Sequence, residues 1–184
     1  MLLTTGGLLI AMGAAMMTRH VLIIFMLALA LADAGCQPRQ KIATERERKE
    51  AAQLGSEAQF AMTMRQWARA EGLYAQATKL HPDGSYYTNL GAARIKLGNR
   101  AGAKDAYQEA IKSCELDAQL NPADPEPWLR QAYLLALLGR VDDGRAQLKK
   151  TEKKFPNHRR VRAFIDGKQF DAMIASPGFK ENAL

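Results

Sequence analysis

Small side chains return in the same order three times between residues 51 and 158. Ala58, Gly91 and Ala132 form one set, Ala70, Ala103 and Gly144 a second, and Ala77, Ala110 and Thr151 a third. Larger residues recur beside them: Tyr74, Tyr107 and Leu148. Pro82, Pro122 and Pro156 follow the runs, 40 and 34 residues apart. A glycine inside a helix costs about 1 kcal/mol against alanine, so Gly91 needs a compensating reason. Two antiparallel helices crossing closely supply it, with Leu90 and Tyr107 filling the space that the small residues leave. After residue 40 the chain is dominated by Ala, Leu, Lys, Arg, Glu and Gln, without runs of Val, Ile and Thr. That composition favours helix over strand, and an all-α protein is expected.

The recurrences resemble the tetratricopeptide repeat, a helix–turn–helix unit of 34 residues. The first repeat, 51–83, supplies Leu54, Glu57, Ala58, Ala61, Ala70, Tyr74, Ala77 and Pro82. The second, 84–124, supplies Tyr87, Leu90, Gly91, Arg94, Ala103, Tyr107 and Ala110. The third, 125–158, supplies Trp128, Gln131, Ala132, Leu135, Gly144, Leu148, Thr151 and Pro156. Glu57, Arg94, Gln131 and Thr151 depart from the family's pattern. The resemblance implies a short solenoid of antiparallel helix pairs. Gly98 and Gly139 are placed to end first helices in the left-handed conformation that glycine enters freely. Arg65 takes that place in the first repeat, where a less well formed turn is expected.

The second repeat is seven residues too long, about two helical turns. Its second helix is therefore expected to run from about Ala101 to Leu120, carrying Cys114, Leu116 and Leu120 either as a docking knob or as an insertion packed on its own protein. Asp124-Pro125 is a good helix start. Asn157 is placed to cap a further helix, in which Val161, Phe164 and Ile165 form an apolar stripe. Residues 159–184 should thus hold a capping helix, which a solenoid needs. Phe170, Met173 and Ile174 indicate one more short helix. Ser176-Pro177-Gly178 ends it, and the last residues are expected to fray.

The chain's beginning reads as an address, with residues 1–35 as leader. From Met17, Arg19 precedes twelve apolar residues, 21–32, and then small ones, the layout of a secretory signal. The start itself is ambiguous among Met1, Met16 and Met17. Ala34-Gly35-Cys36 resembles the end of the bacterial lipobox, which implies lipidation at Cys36; Asp33 stands where that family has an aliphatic residue. The rival is cleavage after Ala30-Leu31-Ala32 or Ala32-Asp33-Ala34, releasing a soluble periplasmic protein. One long anchor, or a cytoplasmic protein with a mistaken start, are further readings. Gln37 after the cysteine tilts towards the outer membrane. Residues 36–50 form a polar tether whose second part begins a helix.

By the resemblance, partners bind a concave face lined by the first helix of each repeat. The expected groove comprises Gln59, Met62, Thr88, Asn89, Ala92, Ile95, Lys96, Leu129, Arg130, Tyr133 and Leu137, with Gly55, Glu126 and Ala136 also turned inward. Tyr133 is the best single anchor, since tyrosine is enriched in hot spots; alternatively Tyr133 and Leu137 pack under the C-terminal helix. The five-residue clamp with which some relatives hold chaperone C-termini is not matched. Gly55, Gln59, Asn89, Glu126 and Arg130 occupy its positions, both lysines are missing, and Glu126 would repel a carboxylate.

The net charge is +7, and much of the excess lies in KKTEKKFPNHRRVR at 149–162. Such a run meets acidic partners or anionic headgroups, or is simply a solvated face at the favourable end of a helix dipole. Nucleic acid is not expected as a partner. Two cysteines, neither in a CxxC, and three scattered histidines offer no metal site, and no catalytic arrangement or cofactor motif is found. The expectation is a non-enzymatic scaffold for another envelope protein, held to the membrane by its N-terminal lipid or leader. It resembles the small lipoproteins that help assemble pili and secretin pores. A soluble periplasmic regulator of a cell-wall or secretion enzyme is the alternative.

Overall fold

The computed structural model describes residues 43–184; the leader and Cys36 lie outside these. Among the described residues the secondary structure is entirely helical, and the helices pack in pairs. In order they are α1 (Glu45–Thr63), α2 (Trp67–Leu80), α3 (Gly84–Lys96), α4 (Arg100–Leu120), α5 (Glu126–Leu137), α6 (Val141–Lys154), α7 (Arg159–Asp166), α8 (Gln169–Ala175) and α9 (Pro177–Lys180). The pairs α1/α2, α3/α4 and α5/α6 are the three repeats. The second helix of each pair also packs on the first helix of the next.

The helix starts follow local chemistry. Thr44 and Glu47 form a capping box: the Thr44 hydroxyl accepts the Glu47 N–H at 3.3 Å, and the Thr44 N–H reaches the Glu47 carboxylate at 2.8 Å. Asp83 accepts the Ser85 N–H at 2.7 Å, and Asn99 accepts the Gly102 N–H at 2.9 Å. The Asp124 carboxylate takes the Glu126 N–H at 2.9 Å. Asn157 does not cap α7; His158 holds that position and makes no side-chain cap.

The crossing within a repeat is built from small residues. Ala58, Gly91, Ala132, Ala70, Ala103, Gly144, Ala77, Ala110 and Thr151 are all buried. A methyl group on Gly91 would stand 2.3 Å from a ring carbon of Tyr107, and one on Gly144 would stand 2.7 Å from the Ala132 carbonyl. Neither position has room for alanine unless a neighbour moves.

The turns after the first helices are alike, including the one that lacks glycine. Gly98 and Gly139 have φ of 76° and 75°, and Arg65 has φ of 57°. Each turn closes with the same backbone bond: Gln66 to Ala61 at 2.8 Å, Asn99 to Arg94 at 2.9 Å, and Arg140 to Leu135 at 2.9 Å. The first turn is therefore fully formed, contrary to expectation. Packing imposes the left-handed conformation on Arg65 at a steric cost.

The residues that depart from the family's pattern are partnered. Arg94 donates to Glu71 at 3.1 Å and to the Gly102 carbonyl at 3.0 Å, so one guanidinium ties α3 to both α2 and α4. Gln147 donates to Gln131 at 2.9 Å across α5 and α6, and the Thr151 hydroxyl is satisfied by the Gln147 carbonyl at 2.9 Å. Glu57 is exposed.

The long α4 ends at Leu120, as its sequence indicates. Its extension packs on the protein through one side: the Ser113 hydroxyl donates to the Pro82 carbonyl at 3.1 Å, and the buried Cys114 lies against Gly84. Leu120 at the tip is 67% exposed.

Val161 is buried, with Phe164 and Ile165 half-buried, and Phe170 enters the core beside Met173 and Ile174. The end of the chain does not fray. The Ser176 hydroxyl accepts the Phe179 N–H at 3.3 Å and starts α9, and Phe179 joins the core that contains Tyr107, Ala132 and Leu137.

Candidate partner-binding groove

The expected groove residues divide into an open part and a covered part. At the N-terminal end Gln59 is exposed, and its amide oxygen accepts the Tyr74 hydroxyl at 3.0 Å. Burial pushes the Tyr74 phenol up to about 12, with the Tyr86 charge a smaller cause, so the hydroxyl remains a donor at neutral pH. Met62 is half-buried, packed between two small apolar clusters. Gly55 does not face a groove: a methyl group there would come within 2.7 Å of the Tyr86 ring, which covers it.

On α3, Thr88, Asn89 and Ala92 are half-buried, and the Thr88 hydroxyl donates to the Gly84 carbonyl at 2.6 Å. Ile95 packs against the main core. Lys96 donates to Glu181 at 2.6 Å. That hydrogen bond, and then the lysine charge, holds the Glu181 carboxyl below the usual carboxylate range.

On α5 the covered part is complete. Leu129 and Leu137 are buried, as is Ala136. Arg130 is half-buried and near Asp117 and Cys114. Burial and then Asp83 raise the Asp117 carboxyl, and the arginine opposes them. Glu126 pairs with Arg160 at 3.0 Å. Tyr133 meets Phe179 edge-on, with ring centres 5.9 Å apart. Of the two arrangements open for Tyr133 and Leu137 from the sequence, both residues pack beneath the C-terminal segment.

Four contacts seat that segment across α3, α4 and α5. They are Phe179 on Tyr133, Glu181 on Lys96, the Tyr107 hydroxyl on the Asn182 carbonyl at 2.7 Å, and the Leu184 N–H on the Leu137 carbonyl at 2.8 Å. The sequence left a C-terminal cover over Tyr133 and Leu137 open as an alternative, but expected residues after 178 to fray rather than to form it. Its signal was Phe179, Ala183 and Leu184 following a proline–glycine pair, too short a pattern to read as a packed element.

The basic run is partly committed. The Lys154 ammonium stands 4.1 Å from the centre of the Trp128 ring, which also meets Phe155 edge-on. Arg162 pairs with Asp166 at 3.6 Å. Lys149, Lys150 and Lys153 remain exposed. Among the described residues no cluster of His, Cys, Asp and Glu is arranged to hold a metal, and no helix is long and apolar enough to cross a membrane.

None of the curated proteins matches the chain significantly. A solved structure described as the Arabidopsis OM64 TPR domain aligns with a TM-score of 0.40 and 19% identity, over 68% of this chain and 98% of its own. A family model described as a tetratricopeptide repeat matches residues 87–114 and 128–158. Repeats of this kind are protein–protein interaction modules. The tetratricopeptide match thus spans most of α3, α4 as far as Cys114, and α5 from Trp128 through α6.

Proposed function

We propose that the chain is a non-enzymatic scaffold of the bacterial cell envelope, anchored by lipid on Cys36, whose first-helix face holds a segment of another envelope protein. The observation that carries the binding reading is the face itself. Lys96, Tyr133 and the Leu137 carbonyl present a cation, an aromatic ring and a backbone acceptor to one nine-residue segment, which uses all three. The envelope reading rests on the leader grammar of residues 17–36 and on Cys36 directly after it. Several acyl chains anchor stably where one is marginal. By analogy with the lipoproteins it resembles, the partner is a component of a pilus or secretion assembly.

The second reading, a soluble periplasmic adaptor of a cell-wall or secretion enzyme, is favoured by Asp33, which departs from the lipobox. Cys36→Ser separates the two. Loss of the protein from the membrane fraction supports the anchor; unchanged fractionation removes it. Recovery of partner by residues 37–184, compared with a Tyr133→Ala variant, tests the face. Equal recovery by both counts against it.

A further inference from the structure

The contacts of residues 176–184 are those of a bound peptide rather than of a helix cap. Capping is already done by α7 and α8, whose Val161 and Phe170 close the core. The segment that follows turns onto the first-helix face and satisfies it in register. Phe179 supplies an aromatic ring to Tyr133, and two residues on Glu181 supplies an anion to Lys96. Asn182 then supplies a carbonyl to Tyr107, and Leu184 supplies an N–H to Leu137 while its side chain packs on the core. Three of the four contacts are polar or charged, so the face reads chemistry as well as apolar area.

We propose that residues 176–184 are an internal ligand that keeps this face occupied, and that the external partner is a protein segment of the same pattern: an aromatic residue, an acid two positions later and an aliphatic residue three positions after that. The proposal rests on the reading of the repeats as a protein-binding scaffold. A tethered segment competes as though present at an effective concentration on the order of a millimolar. The partner therefore enters only when it binds more tightly than the tail or is itself held nearby, which restricts loading to the assembly site.

The test uses a fluorescein-labelled peptide with the sequence of residues 176–184, titrated with the full chain and its variants. The wild-type chain is expected to bind it poorly. Phe179→Ala, and separately the exposed Glu181→Lys, loosen the internal segment, and each is expected to raise peptide affinity about tenfold or more. Hydrogen exchange at the Leu184 amide reports the release. Adding Lys96→Glu to the Phe179→Ala chain should abolish binding of this peptide and restore it for a peptide carrying Glu181→Lys. Released tails with no gain in peptide affinity overturn the proposal. So does a Leu184 amide that stays protected in both variants, because the named contacts then do not hold the segment. Either failure, with partner still recovered by residues 37–184, leaves the scaffold reading standing; loss of partner recovery alone removes that reading instead.

Discussion

The Tyr107 hydroxyl donates to the Asn182 carbonyl oxygen at 2.7 Å, joining the middle repeat to the third residue from the end of the chain. The same ring occupies the space that Gly91 leaves open. One side chain thus serves both the helix crossing and the seating of the tail. Tyr107→Phe keeps the ring and removes the donor. It should lower unfolding stability by about 1 kcal/mol, seen as a lower urea midpoint at unchanged slope. Faster amide exchange at residues 182–184 should accompany the loss.

Two glycines within helices should respond oppositely to alanine. At Gly91 the new methyl meets the Tyr107 ring at 2.3 Å, and overpacking of this kind costs about 1–3 kcal/mol. At Gly72, within α2, a methyl group would meet nothing within 4 Å beyond its own stretch of helix, so alanine should gain up to about 1 kcal/mol of helix propensity. Thermal melts of Gly91→Ala and Gly72→Ala should therefore shift in opposite directions.

Arg65 holds a left-handed conformation that the equivalent Gly98 and Gly139 adopt freely. Arg65→Gly should stabilise the chain by about 1 kcal/mol, the strain such a residue carries. Gly98→Arg should lose a similar amount, also about 1 kcal/mol. Denaturant midpoints of the two variants check both.

How much of this was legible in the sequence follows from the range of each interaction. Crossings at Gly91 and Ala103 were readable because steric exclusion acts locally and recurs with the repeat. Left-handed turns at Gly98 and Gly139 were readable for the same reason. Arg65 was misjudged because propensity is a small term beside the packing of α1 on α2. The off-pattern Arg94 and Gln131 gave no hint of their partners, since Glu71 and Gln147 come near only once the helices are paired. A cover over Tyr133 and Leu137 was one of two readings the sequence allowed, but the contacts that seat it were hidden for the same cause at greater distance: Lys96 meets Glu181 across 85 residues of chain.

Acid should loosen one of the four contacts of the tail. Glu181 has its carboxyl lowered by Lys96, with Arg65 assisting more weakly. A carboxyl lowered by folding contributes fully above its unfolded value, and the contribution disappears as pH falls through the lowered one. The Glu181 amide and its neighbours should therefore shift as pH falls through the lowered value, while the Leu184 amide stays bonded to Leu137. Lys96→Met should remove that acid limb, and salt should weaken it because the pair is at the surface.

Cys114 is fully buried, and burial, more than any neighbouring charge, pushes its thiol up to about 11. The reactive thiolate is thus scarce at neutral pH. Iodoacetamide should leave Cys114 unmodified in the native protein and label it on unfolding. Mass spectrometry of the Cys114 peptide across a urea series should reproduce the unfolding curve.

The final amide of the chain is bonded to Leu137, and the Leu184 carbonyl oxygen lies 3.3 Å from where a Gly139 side chain would begin. Anything fused behind Leu184 would begin against the Gly139 turn. A purification handle or fluorescent reporter placed there would pry at the very seat it is meant to report on, and a fusion that recruits new interactors would be recording the handle's own leverage.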